Sequence, residues 1–283
     1  MCTTCGCGGA SHIVSHHAQH DHHSHDQSAP FHHLQHQHAA SPAQIMCDQE
    51  GGRRIVQLTH DILGKNKRFA EQNRQYLHRL GVPAFNLVSS PGAGKTMLLA
   101  RSIREANNSA AIAVIEGDQH TSHDAACVAA SGAQAIQINT GKGCHLDAHM
   151  VGHALEKLTL TSESLLFIEN VGNLVCPADF DLGETQRVVL LSVVEGDDKP
   201  LKYPHIFASA DLLLLTKMDL LPYVSFDVTQ CVQHARRIHP TMEVIRLSTK
   251  TGVGVKQWYD WIETERRRCS REGPQEQEVE TRC

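Results

Sequence analysis

Ala84-Phe85-Asn86-Leu87-Val88 runs directly into Ser89-Ser90-Pro91-Gly92-Ala93-Gly94-Lys95-Thr96, and Met97-Leu98-Leu99-Ala100 follows at once. A short apolar β-type run, a glycine-bearing turn and a helical apolar segment form the context that a phosphate-binding loop requires. Gly92 and Gly94 let the backbone approach phosphate oxygens, with Pro91 and Ala93 completing the turn. The amides of the turn and the helix terminus then present donors, Lys95 can reach the β and γ oxygens, and the Thr96 hydroxyl can ligate Mg²⁺. The pattern departs from G-x-x-x-x-G-K-[ST] only at its first position, which is Ser89.

Outward from this loop, six further β-rich apolar runs alternate with helical stretches: 111–115, 135–138, 165–168, 188–194, 212–215 and 244–247. Nearly continuous apolar strands separated by helices predict an α/β fold with a mostly parallel sheet covered on both faces. With the phosphate loop in place, this is the P-loop NTPase arrangement, and it is expected over residues 84–265. Ahead of it, Ile55, Leu58, Ile62, Phe69, Tyr76 and Leu80 recur at helical spacings, so 51–83 is read as a helix whose apolar stripe packs on that domain. Gly81 and Pro83 end it.

The base is read further downstream. Leu212-Leu213-Leu214-Leu215-Thr216-Lys217-Met218-Asp219 places a T-K-x-D sequence at a strand end. A carboxylate at Asp219 can accept from guanine's ring N–H and exocyclic amine, whereas adenine presents a mismatched edge and leaves the acid unsatisfied. Thr216 stands where asparagine is usual, offering one hydroxyl in place of an amide donor and acceptor. Ser248-Thr249-Lys250 forms a loop of the kind that backs the base in GTPases, with Thr249 where alanine is common. Asp118 and Glu169 end two apolar runs on the side where such sheets bind ligands, so both are candidates to hold Mg²⁺ or its waters, with Glu116 as a possible substitute for Asp118. A water attacking the γ-phosphate in line completes the expected hydrolysis.

Composition narrows the class. The 283 residues carry 26 Lys+Arg against 31 Asp+Glu, a formal charge of −5, so there is no basic field for nucleic acid or an anionic membrane. No apolar run approaches membrane-spanning length. The start lacks the features of a secretory signal, so the ten cysteines are expected in a reducing cytoplasm, where metal binding is a better use for them than disulfides. Eleven of the 21 histidines lie between His12 and His38. Residues 1–50 are poor in bulky apolar groups and are read as disordered without metal. Residues 266–283 read as a charged, solvated tail.

Cys144-His145 and Cys176 lie in strand-end loops, and thiolate with imidazole suits Zn²⁺ or Ni²⁺. Cys176 follows the Glu169-to-Gly172 turn, where a GTPase senses its γ-phosphate, so metal geometry and nucleotide state would be linked. Cys2, Cys5 and Cys7 are close enough to converge on one ion, and such a site would order on binding it. The imidazoles of 12–38 suit a weakly selective store of divalent ions that empties on protonation. Cys47, Cys127, Cys231, Cys269 and Cys283 have no partners at ligand spacing and are read as structural.

Taken together, Ser89 to Thr96, Thr140 to Asp147, the Glu169-Asn170-Val171-Gly172-Asn173-Leu174-Val175-Cys176-Pro177 stretch and the Met1 to Gly8 cluster resemble the HypB family of hydrogenase nickel-incorporation GTPases. That resemblance implies GTP hydrolysis with Mg²⁺, Ni²⁺ or Zn²⁺ as cargo, dimerisation through the nucleotide face and nickel insertion into the [NiFe] hydrogenase precursor alongside a HypA-like zinc protein. It also implies a high-affinity nickel site at Cys2, Cys5, Cys7 and the terminal amine, and a second site at Cys144, His145 and Cys176. The alternatives are a passive nickel store, served by the histidine segment alone, and a nickel-delivery GTPase for another enzyme such as urease. The latter would be expected to carry a Cys-Pro-His motif, and here proline follows Cys176 instead.

Overall fold

The computed structural model describes residues 49–106, 111–118, 133–141 and 143–272, with side chains described from 61 to 271. Cys2, Cys5, Cys7 and the histidine segment 12–38 lie outside the described residues. The seven strands read from the sequence are all present: β1 (Ala84–Ser89), β2 (Ala111–Asp118), β3 (Gln134–Asn139), β4 (Ser164–Gly172), β5 (Gln186–Ser192), β6 (Leu212–Thr216) and β7 (Glu243–Arg246). They form one sheet in the order β3-β2-β4-β1-β5-β6-β7, every pairing parallel. The chain builds outward from β1 to β2 and β3, returns through β4, and then extends the other way. The order therefore reverses beside β1, and in sheets of this kind ligands bind there, beyond the carboxyl ends of the strands.

Burial explains the near-continuous apolar runs. Every residue of β1, β5 and β6 is buried. Alternate side chains enter different cores, as pleating demands. Phe85, Leu87, Phe167, Leu212 and Leu214 pack beneath α2 (Lys95–Glu105) and the C-terminal helix, with Trp258 and Trp261 among them. On the opposite face Leu166 and Ile168 meet α3 (Ala148–Leu155) and α1 (Gln49–Leu80), while Leu213 and Leu215 meet a third cluster around Phe207 and Cys231. The short helices α4 (Lys199–Lys202) and α5 (Pro204–Ala208), then α6 (Val228–Ile238) and α7 (Val255–Glu272), complete the described α-helices, and 3-10 turns span Cys176–Ala178 and Met218–Tyr223.

Two details differ from the sequence expectation. The buried face of α1 is Asn66, Ala70, Asn73 and Leu77, whereas Ile62 is 48% exposed. The face is rotated because the asparagines find backbone partners: Asn66 bonds Asp181 O and Ala148 N, and Asn73 bonds Ala148 O and Leu182 O. Amides can be buried when their hydrogen bonds are satisfied. Also, α7 continues past Glu265 to Glu272, into the stretch expected to be a solvated tail. Arg266 and Arg267 there pair with Glu163 and Glu263. Among the described residues no helix is long and apolar enough to cross a membrane.

Candidate nucleotide and metal site

The phosphate loop leaves β1 at Ser89 and turns through Gly92 and Gly94, whose φ values of 74° and 101° lie in the left-handed region that glycine accepts freely. Helix α2 then begins at Lys95 with no side-chain cap and no acid in its first turn, an N-terminus of the kind that favours an anion. Ser89, the departure from the usual pattern, gives Lys95 a partner: Nζ donates to its Oγ at 2.8 Å. The ammonium is thereby held along the loop, at 8% exposure.

A cavity of about 530 Å³ opens over the loop, and Lys95, Thr96, Glu116, Asp118, Glu169 and Lys217 are among the residues lining it. Glu116 and Glu169 face each other in register across β2 and β4, at 3% and 6% exposure. Glu169 Oε1 accepts the Thr96 hydroxyl at 2.7 Å. Asp118 stands at the end of β2, half-buried. Three carboxylates and a hydroxyl beside a lysine make an all-oxygen donor set that suits a hard cation such as Mg²⁺. Glu116, a substitute in the sequence reading, lies as deep in this wall as Glu169 does.

On the base side, Lys217 is the one non-glycine residue with positive φ among the described residues, at 56°. Such strain persists only where the surroundings impose it. Here Thr216 is anchored by its hydroxyl to Ala93 O at 2.7 Å, and Met218 N is bonded to Leu247 O. The fully buried Ser248 donates to Asp219 Oδ1 at 2.6 Å and so orients that carboxylate. Thr249 is held through its carbonyl by Arg101 of α2, and Lys250 is exposed. Among the described residues, Lys217 carries the base-side motif to the cavity wall.

The predicted thiol and imidazole ligands converge. Cys144 Sγ lies 2.7 Å from Cys176 Sγ and 3.6 Å from His145 Nδ1, and ligand atoms of all three fall within 4.8 Å of one another. Cys144's thiol is pushed above its ordinary range, first by its hydrogen bond with Cys176 and then by burial. Burial depresses His145 against the opposing pull of Asp147, which favours the neutral, ligating imidazole. Its ring packs 4.0 Å from that of Phe180. Soft donors of this kind suit a borderline ion, whose entry must displace the thiol protons.

Both ligand loops rest on the cavity walls. Asn170 Oδ1 accepts Leu146 N, and Asn173 Nδ2 donates to Cys144 O, tying the Cys144 loop to the end of β4. Thr140, at the root of that loop, donates its amide to Asp118 O and its hydroxyl to Gly143 O. Gly172 permits a close approach, since a β-carbon there would meet Pro91 of the phosphate loop at 3.0 Å. The asparagines Asn170 and Asn86 continue this link into the buried Glu184–Arg187 pair. Sequence reasoning missed Asn170, Asn173 and Phe180, and the only signal was a polar residue at the end of an apolar strand. Cys231 is buried, its thiol raised to about 12 by burial and the charge of Asp197, in keeping with a structural role.

Residues 83–246 match the family described as CobW/HypB/UreG, nucleotide-binding domain. The chain is 58% identical over 213 residues to the hydrogenase maturation factor HypB of Azotobacter vinelandii, covering 75% of this chain and 70% of that protein. It is 46% identical over 293 residues to the HypB of Escherichia coli K12, covering 94% and 99%. Among solved structures, HypB from Helicobacter pylori in complex with nickel is similar with a TM-score of 0.69 at 35% identity, over 72% of this chain and 96% of that one.

Proposed function

The chain belongs to the HypB family of hydrogenase maturation factors within the CobW/HypB/UreG nucleotide-binding proteins, and on that premise we propose that it is a GTP-hydrolysing nickel metallochaperone for the [NiFe] hydrogenase precursor. One observation carries this reading: Cys144, His145 and Cys176 sit on two loops bonded to the ends of the strands that bear Asp118 and Glu169. A change in the phosphates that moves either acid must then move a thiol.

In this account the amides of 91–96 and the Lys95 ammonium hold the β and γ oxygens. Asp219, held by Ser248, accepts from the guanine edge, with Thr216, Lys217, Thr249 and Lys250 forming the base loops. Thr96, Glu169 and Asp118 would hold Mg²⁺, with Glu116 as a further carboxylate of the same wall, and the ion would supply neutralisation of the charge that develops on the phosphates. Lys95 stabilises the same charge at the oxygen between the β and γ groups. Nickel is the cargo of Cys144, His145 and Cys176, with Zn²⁺ as a competitor. Cys2, Cys5, Cys7 and the terminal amine form a tighter nickel site, and the histidines of 12–38 add storage. GTP promotes a homodimer that closes the thiol site, and hydrolysis opens it toward a HypA-like zinc protein and the hydrogenase large-subunit precursor in the cytoplasm.

The test is titration of Ni²⁺ and Zn²⁺ into apoprotein, GDP-loaded protein and protein loaded with a non-hydrolysable GTP analogue, with Cys176→Ala as control. The expected result is a nucleotide-dependent affinity at the domain site that disappears in Cys176→Ala. Equal affinity in all three nucleotide states refutes the coupling. Deleting residues 9–50 separates delivery from storage: hydrogenase maturation at plentiful nickel survives the deletion if turnover is the function and fails if passive storage is.

A further inference from the structure

Thr216 opens the base-reading sequence, yet its side chain is turned to another task. Its hydroxyl donates to Ala93 O of the phosphate loop at 2.7 Å, and the residue is 2% exposed. A threonine hydroxyl has one hydrogen to give, and once it is committed the oxygen can only accept. Guanine N7 is also an acceptor. An asparagine amide at this position could donate to N7 and still hold the backbone, but threonine cannot do both.

Three neighbouring donors are engaged as well. Met218 N is bonded to Leu247 O, Leu220 N to Lys217 O, and the Ser248 hydroxyl to Asp219. Lys217 lines the phosphate cavity together with Gly92 and Gly94.

We propose that this chain reads guanine by its ring N–H and exocyclic amine alone, through Asp219, and leaves N7 unread. Thr216 serves as a strut between β6 and the phosphate loop. The proposal rests on the guanine assignment above and specifies which edge of the base carries it. Selectivity against adenine is kept, because the carboxylate is where the two bases differ most, whereas one anchoring bond of the purine is given up.

Competition binding to the full chain with Mg²⁺ and GTP, 7-deaza-GTP, ITP or ATP tests it. 7-Deaza-GTP, which has carbon at position 7, is expected to bind within about twofold of GTP. ITP, which lacks the exocyclic amine, is expected to bind about tenfold more weakly or worse, since Asp219 loses a partner. Binding of 7-deaza-GTP weakened about tenfold, with ITP still weak, overturns the proposal and leaves the guanine assignment standing. ITP binding as tightly as GTP overturns both. Thr216→Asn supplies a second readout: it should acquire a several-fold preference for GTP over 7-deaza-GTP, and failure to do so overturns the assignment of the unread N7 to this position. Thr216→Val should weaken GTP and 7-deaza-GTP by the same factor, and unequal losses likewise count against the strut.

Discussion

Thr96 and Glu169, 73 residues apart in sequence, are joined by a hydrogen bond of 2.7 Å from hydroxyl to carboxylate. The first turn of α2 and β4 are thus held together. Glu169→Gln keeps an acceptor for Thr96 and removes only the charge. Phosphate release with GTP should fall about a hundredfold, while nucleotide affinity measured without Mg²⁺ changes little. Unchanged turnover would remove Glu169 from the cation's ligands.

Gly117 faces Leu146 so closely that a β-carbon would lie 2.6 Å from its Cγ, and Leu146 is fully buried between Cys144 and α3. Gly117→Ala must displace the Leu146 side chain, which follows Cys144 and His145 directly in the chain. It should cost about 1–3 kcal/mol of stability and lower Ni²⁺ affinity at the domain site, both readable by thermal melting and metal titration. Gly64→Ala, with nothing within 4 Å of the new carbon and a helical position in α1, is the control and should stabilise by up to about 1 kcal/mol.

Arg101 holds the Thr249 carbonyl from the helix that starts at the phosphate loop, and it also pairs with Glu105. It is a positioning residue for the base loop. Arg101→Ala should raise the KM for GTP about fivefold with kcat little changed, the loss of roughly one hydrogen bond in binding alone. A fall in kcat of the same size would mean that the contact serves the reacting phosphate instead.

Asp181 ties the segment before β5 to Arg74 of α1 at 2.8 Å. Burial raises its carboxyl, but the Arg74 hydrogen bond, the Gly183 amide and the Arg74 charge outweigh it, leaving the group below 3.8. A lowered folded value contributes stability that is full above 3.8 and is lost as pH falls through the folded value. With both side chains more than 40% exposed, screening limits this to about 0.5–1 kcal/mol. Asp181→Asn should lower Tm at pH 7, and the gap from the parent protein should close as melting is followed down below pH 4.

Much of this was readable from the chain. The seven apolar runs marked the strands: β1, β5 and β6 are buried throughout and have no polar alternation to confuse with loops, and the more exposed β3 and β7 still carry enough apolar residues to be read. The spacing from Ser89 to Thr96 likewise located the phosphate loop. Strand order was not readable, since nothing in β4 says that it returns between β1 and β2. The face of α1 was read in part: Tyr76 and Leu80 pack on the core as expected, but Asn66 and Asn73 are buried by backbone bonds that periodicity does not register. Cys144 and Cys176 were named from residue type and position, but their approach to 2.7 Å depends on Asn170 and Asn173, whose partners lie on another loop. Thr216 was noted as a departure, and its tie to Ala93 emerges only once β6 and the phosphate loop are adjacent.

The strand order has one more result. Cys144 follows β3 and Cys176 follows β4, and β2 runs between those strands. An ion gripped by both sulfurs would bridge the loops that leave the strands on either side of β2. Such a bridge would tie the edge strand β3 to β4 directly, in addition to the ladder each already makes with β2.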